Sequence, residues 1–142
     1  MILYLDTSAL VKVYVMEQAS KAVQAAIKQY EVIATHGIAF IEAQAAFSRL
    51  KREKKITEHV FDDIKQCFTQ DWENYLRVEN SKSLMQHAVD LADAFALRAY
   101  DSMHLAAAAL LAKQSQQATV FACFDNKLNK AAKVLGLELP KW

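Results

Sequence analysis

Glycine and proline are almost missing from this chain, two and one among 142 residues. Flexible linkers and a second domain go with them, and neither G-x-G-x-x-G nor G-x-x-x-x-G-K-S/T occurs, which argues against the nucleotide-cradling folds built on those loops. The two cysteines, Cys67 and Cys123, make no disulfide framework and no zinc spacing. Both lie in apolar sequence and are expected to be buried, reduced thiols of a cytosolic protein. A formal net charge of +1 gives no whole-molecule pull toward nucleic acid. An acid at Asp6 precedes any signal-peptide apolar region. The longest apolar run, Met103 to Ala112 around His104, is too short for a bilayer. These absences predict a soluble, cytoplasmic protein without a membrane partner.

What is present is apolar: 54% of residues, enough for a full core and a margin for a buried subunit interface. The length suits one domain, residues 1–142. Ile2 to Leu5 and Val120 to Phe124 read as buried strands, and Val32 to Ala34 as a short one. Residues 72–78 are ambiguous and leave room for another. Helices are expected over 9–15, from a Ser20 cap to about Tyr30, from Ile38 to about Lys54, and after Thr57 with Val60, Ile64, Cys67 and Phe68 inward. A further helix opens at Ser81 or Ser83, is interrupted at Tyr100-Asp101-Ser102, and resumes to about Lys113. Asn126 to Leu135 closes the series, with Gly136 as its C-cap. Leu137 to Leu139 is an expected edge strand. Strands alternating with helices predict an α/β fold, three layers deep, with a mainly parallel central sheet.

Four carboxylates carry the functional signal: Asp6, Glu42, Asp101 and Asp125. Asp6, Asp101 and Asp125 each have a structural excuse as N-caps of predicted helices. Glu42 has none, since it lies among Phe40, Ile41, Ala43, Ala45 and Ala46 inside a helix. Asp6 and Asp125 follow strands and point to the carboxyl rim, where open α/β sheets place their sites. Two like charges about 4 Å apart repel by about 4 kcal/mol at an effective dielectric near 20. Convergence therefore calls for a cation, and all-oxygen ligands select Mg²⁺ or Mn²⁺. Such an ion suits hydrolysis of a phosphodiester.

The run Ile2-Leu3-Tyr4-Leu5-Asp6-Thr7-Ser8-Ala9-Leu10 resembles the first motif of PIN domains. Ile38-Ala39-Phe40-Ile41-Glu42-Ala43, with Arg49, resembles the second, and Leu97 to Ala106 around Asp101 the third. Phe121 to Asp125, with Leu128, Ala131, Ala132 and Gly136, is similar to the fourth. Their order and span over nearly the whole chain resemble the VapC-type toxins of toxin–antitoxin pairs. The resemblance implies a Mg²⁺- or Mn²⁺-dependent endoribonuclease leaving 5′-phosphate and 3′-hydroxyl ends, a VapB-like antitoxin partner and a homodimer. It implies Asp6 and Asp101 as principal metal ligands, Glu42 and Asp125 completing the pocket partly through water, and Thr7 and Ser8 supporting them. His36 departs from the pattern, standing where a small hydroxyl residue is common. So does Phe95-Ala96, where a polar residue and glycine are usual.

Arg49 and Arg52 are candidate RNA contacts, with a solvated helix end as the competing reading. His104 is expected to be a hydrogen-bonded core histidine, and Asp90 and Asp93 ordinary surface acids. Trp72, Tyr75 and Trp142 could stack on bases, but packing or dimer contacts are the better explanation. Three other functions compete: a non-catalytic PIN-fold module that binds RNA or protein, a DNA-directed nuclease, and a haloacid-dehalogenase-type phosphatase. The last lacks its D-x-D signature, since Ser8 holds the second acidic position.

Overall fold

A computed structural model describes residues 1–142. Four strands, β1 (Ile2–Leu5), β2 (Val32–His36), β3 (Leu76–Val78) and β4 (Thr119–Ala122), form one sheet in the order β3-β2-β1-β4. Every pairing is parallel; Ile2 lies opposite Val32 on one side and Thr119 on the other. Parallel strands need crossovers, and six helices supply them in pairs, α1 (Thr7–Tyr14) and α2 (Ser20–Ile27), α3 (Ala39–Arg52) and α4 (Glu58–Trp72), α5 (Lys82–Phe95) and α6 (Ala99–Ser115), while α7 (Asn126–Val134) follows the last strand.

The two-residue period of β1 sorts its side chains between two cores. Ile2 and Tyr4 join Phe121 and residues of α5, α6 and α7; Leu3 and Leu5 join Val120, Ala122 and residues of α1, α3 and α4. Covered on both faces, β1 and β4 read as continuous apolar runs, as parallel strands do. The result is three layers, α/β/α. No helix is long and apolar enough to cross a membrane.

Several local expectations hold. The Thr57 and Ser81 side chains accept from Val60 N and Leu84 N as N-caps. Gly136 (φ +83°) ends α7: its N–H donates to Lys133 O and that of Leu137 to Ala132 O, a Schellman closure. Glu138 bridges to Val120 beside β4, a single bridge where an edge strand was expected.

Others are corrected. Ser20 does not cap α2; the cap position is Ala19, and the Ser20 hydroxyl donates to Val15 O, closing the α1–α2 connection. The break between α5 and α6 lies at 96–98, where Ala96 is left-handed (φ 54°), not at 100–102. Asp101 is accordingly the third residue of α6 and not its cap. The inner face of α4 runs through Phe61, Ile64 and Phe68, which leaves Val60 and Cys67 exposed; only Cys123 is a buried thiol.

Candidate active site

Strands β1 and β4 leave the sheet side by side at their carboxyl ends, where Asp6 N–H donates to Ala122 O (3.1 Å). Asp6 caps α1: its Oδ1 accepts from Ala9 N (2.9 Å) and Ser8 Oγ (2.7 Å). Asp125 caps α7, its Oδ1 accepting from Leu128 N (2.8 Å). The cap readings of these two acids are therefore right, but a cap engages only one carboxylate oxygen. In each, Oδ2 has no protein partner.

Glu42 arrives from the first turn of α3 and is tied across the sheet. Its Oε1 accepts from Thr7 Oγ1 (2.7 Å) and lies 3.0 Å from His104 Nε2. Thr7 Oγ1 is also 3.1 Å from that nitrogen. On its other side, His104 Nδ1 is 2.9 Å from the Tyr4 hydroxyl. Asp101 precedes His104 by three residues, so the two share one face of α6. Its other neighbour is Arg98, whose exposed Nε stands 3.4 Å from Oδ2.

Asp6 is only 5% exposed, and burial raises its carboxyl above the ordinary range. Ser8 and the Ala9 amide oppose that rise by donating to the carboxylate, while the charge of Asp101 adds to it. Burial also pushes the Cys123 thiol up to about 12, helped by the charges of Asp6, Asp125 and Asp101. Glu42 goes the other way. Burial would raise it, but the hydrogen bonds from His104 and Thr7 prevail and hold it below the usual value.

The donor chemistry fits a hard divalent cation: Asp6, Glu42 and Asp125 each keep one oxygen free of protein hydrogen bonds, on a rim whose anchor is desolvated. The side chains do not form a closed cage, as no three His, Cys, Asp or Glu groups converge tightly enough to bind an ion alone. Mg²⁺ suits such an open rim because it usually retains several waters and takes one or two carboxylates.

Other expected participants lie elsewhere. Arg49 and Arg52 are exposed near the carboxyl end of α3. Arg49 is seven residues from Glu42, about 10 Å along the axis. His36 uses both ring nitrogens on the segment after β2: Nδ1 accepts from Ile38 N (2.9 Å) and Nε2 is 2.7 Å from Asn80 Oδ1. The Phe95-Ala96 pair only shapes the end of α5, where Ala96 O accepts from Lys127 Nζ. Trp72 packs among Phe40, Phe68 and Tyr75, a core role.

His104 is indeed buried (2% exposed) and hydrogen-bonded, but one of its partners belongs to the site. Tyr4 is a participant that sequence reasoning missed. The available signals were its place two residues before Asp6 and that of His104 three after Asp101.

Residues 3–134 match the family model described as PIN domain. Two Mycobacterium tuberculosis proteins, Ribonuclease VapC45 (strain CDC 1551 / Oshkosh) and Ribonuclease VapC49 (strain ATCC 25618 / H37Rv), are each 30% identical over 135 residues. Those residues are 95% of this chain and 92% of each relative. Among solved structures, PAE2754 from Pyrobaculum aerophilum superposes with a TM-score of 0.66 at 19% identity, covering 98% of this chain and 83% of that one. FitAcB from Neisseria gonorrhoeae gives 0.64 at 17%, covering 98% and 96%. At those identities the two structures speak for the fold alone.

Proposed function

The chain belongs to the PIN-domain family, with VapC proteins as relatives, and we propose that it is a Mg²⁺- or Mn²⁺-dependent endoribonuclease, the toxin of a VapBC-like pair. The observation that carries this reading is the carboxyl rim, where Asp6, Glu42 and Asp125 each keep a free oxygen beside half-buried Asp101. Its relatives' name, ribonuclease, supports the substrate class.

Asp6 and Asp101 would hold the ion, with Glu42 and Asp125 completing its surroundings directly or through water. Bound there, it supplies positive charge for the phosphate and acidifies a water. The protein's own part is orientation. Ser8 and the Ala9 amide fix the Asp6 carboxylate, Thr7 and His104 fix Glu42, and Leu128 N fixes Asp125. Glu42, held below the ordinary range, stays ionised at neutral pH and keeps Oε2 as an acceptor toward the rim. Hydrolysis adds water across the P–O3′ bond and leaves 5′-phosphate and 3′-hydroxyl ends, with no need of the ribose 2′-hydroxyl. Arg49 and Arg52 would meet RNA further along α3.

We read residues 1–142 as one PIN-like domain of a cytoplasmic protein. An antitoxin with a basic side chain would complement the acidic rim. Exposed Met85 and Val89 on α5 and Tyr100 on α6 support a homodimer. The test is to incubate purified, antitoxin-free protein with RNA, with and without Mg²⁺ or Mn²⁺. Cleavage that chelator stops, with the stated ends, is the expected result. RNA held uncut in both metals would make the protein a binding module, and equal cutting of matched DNA would make it a general nuclease.

A further inference from the structure

The buried line Tyr4–His104–Glu42 crosses from the sheet to the rim, joining residues 100 and 62 positions apart. Tyr4 is wholly buried; its hydroxyl lies 2.9 Å from His104 Nδ1, its one side-chain partner, and also faces the backbone amide of His36. A backbone amide can only donate to the hydroxyl, so the phenolic proton goes to His104 or stays unsatisfied. If Tyr4 donates, Nδ1 must be an unprotonated acceptor and the ring proton must sit on Nε2. That nitrogen lies 3.0 Å from Glu42 Oε1, and the Thr7 hydroxyl donates to the same oxygen. This arrangement alone satisfies every group: Tyr4 donates to His104, and His104 and Thr7 both donate to Glu42 Oε1. The opposite tautomer leaves Nε2 lone pair against carboxylate, and a doubly protonated ring leaves the Tyr4 proton without an acceptor. No buried side-chain polar atom here lacks a partner.

We propose that Tyr4 and His104 are positioning residues: Tyr4 locks His104 as the Nε2–H tautomer, and His104 with Thr7 immobilises Glu42 Oε1, leaving Oε2 as the oxygen that would be available to a cation. This rests on the nuclease reading of the rim, whereas the tautomer itself does not. One stacked and one edge-on contact keep the line in place, since the Tyr4 ring lies parallel to Phe121 (5.6 Å between centroids, 13°) and edge-on to His104 (5.9 Å, 73°).

The test uses the full chain. In metal-free protein labelled with ¹⁵N at histidine, long-range ¹H–¹⁵N spectra at neutral pH should show His104 protonated on Nε2 only; protonation on Nδ1, or on both nitrogens, overturns the proposal. Tyr4→Phe keeps the stacked ring and removes the donor. It should mix the His104 tautomers and weaken Mg²⁺ affinity, read by calorimetry, about ten-fold, the loss typical when a partner that orients a metal ligand is removed. His104→Gln, which places an amide donor near the Nε2 position, should retain more affinity than His104→Ala. Unchanged Mg²⁺ binding in folded Tyr4→Phe, or equal losses in both His104 variants, defeats the positioning role. If wild type binds neither Mg²⁺ nor Mn²⁺, the nuclease reading fails and the positioning role with it, although the tautomer result is still read separately.

Discussion

Asp6 and Glu42 face one rim and are treated oppositely by the fold. Asp6 is nearly sealed, and its carboxyl rises because desolvation exceeds what Ser8 and the Ala9 amide return. Glu42 is less buried and drops, because two side-chain donors meet the same oxygen. One carboxylate is thus under-compensated and the other already satisfied on one side. The difference teaches where negative charge is least compensated: at the Asp6 end, where the proposed cation would count most, while Glu42 would contribute an oxygen already oriented by the protein.

Removing the ion should break the comparison most completely. Chelation is expected to abolish RNA cleavage, with Mg²⁺ or Mn²⁺ restoring it, as a gel assay of RNA ends would show. It should also lower the melting temperature of wild type, since a ligand of the folded state stabilises it.

Asp6→Asn comes next. Cleavage should fall on the order of 10³-fold, at or beyond what loss of one transition-state-stabilising donor produces. Stability should move the other way. The raised Asp6 carboxyl gives stability that is complete below the ordinary carboxylate range and lost as pH rises through its folded-state value. Ionised Asp6 is therefore a cost in the metal-free protein, which Asn removes while still capping α1. Thermal melts without metal should show the variant at least as stable as wild type near pH 7, and insensitive to added Mg²⁺. A well-folded variant that cleaves normally would refute the metal role.

Glu42→Gln should show the opposite stability sign. The lowered Glu42 carboxyl contributes stability above the ordinary range that is lost as pH falls through its folded value. Losing two charge-assisted bonds should cost about 1–3 kcal/mol in denaturant titrations, and cleavage should drop about 10–100-fold. If both substitutions move stability in the same direction, the contrast is wrong.

The smallest effects lie away from the rim. Arg49→Ala with Arg52→Ala should raise KM for RNA severalfold and leave kcat nearly unchanged, as expected for side chains that meet only phosphate. Asp93→Ala, on an exposed position of α5, should stay within about 0.5 kcal/mol of wild type and cleave normally.

Much of this was legible in the chain. Strands buried on both faces must be apolar throughout, so β1 and β4 stood out, and the acids that end them were visible as caps and as rim residues at once. Helix faces were less legible. On α4 the sequence marks Ile64 and Phe68 as inward but offers Val60 and Cys67 as readily as Phe61, and only packing against α3 selects Phe61. The α5–α6 break was misplaced by a few residues because Ala96, in a left-handed conformation, carries no local mark such as glycine.

The sequence by itself determined the alternation of strands and helices, the parallel sheet it forces, and the presence of acids at the ends of β1 and β4, because these follow from local periodicity and from the fixed reach of a crossover. Only the tertiary structure decided which oxygens are free, that the carboxyls of Asp6 and Glu42 are shifted in opposite directions, and that Tyr4 and His104 stand behind Glu42. Hydrogen bonds and desolvation act over about 3 Å of space, between residues separated by 35 to 100 positions along the chain.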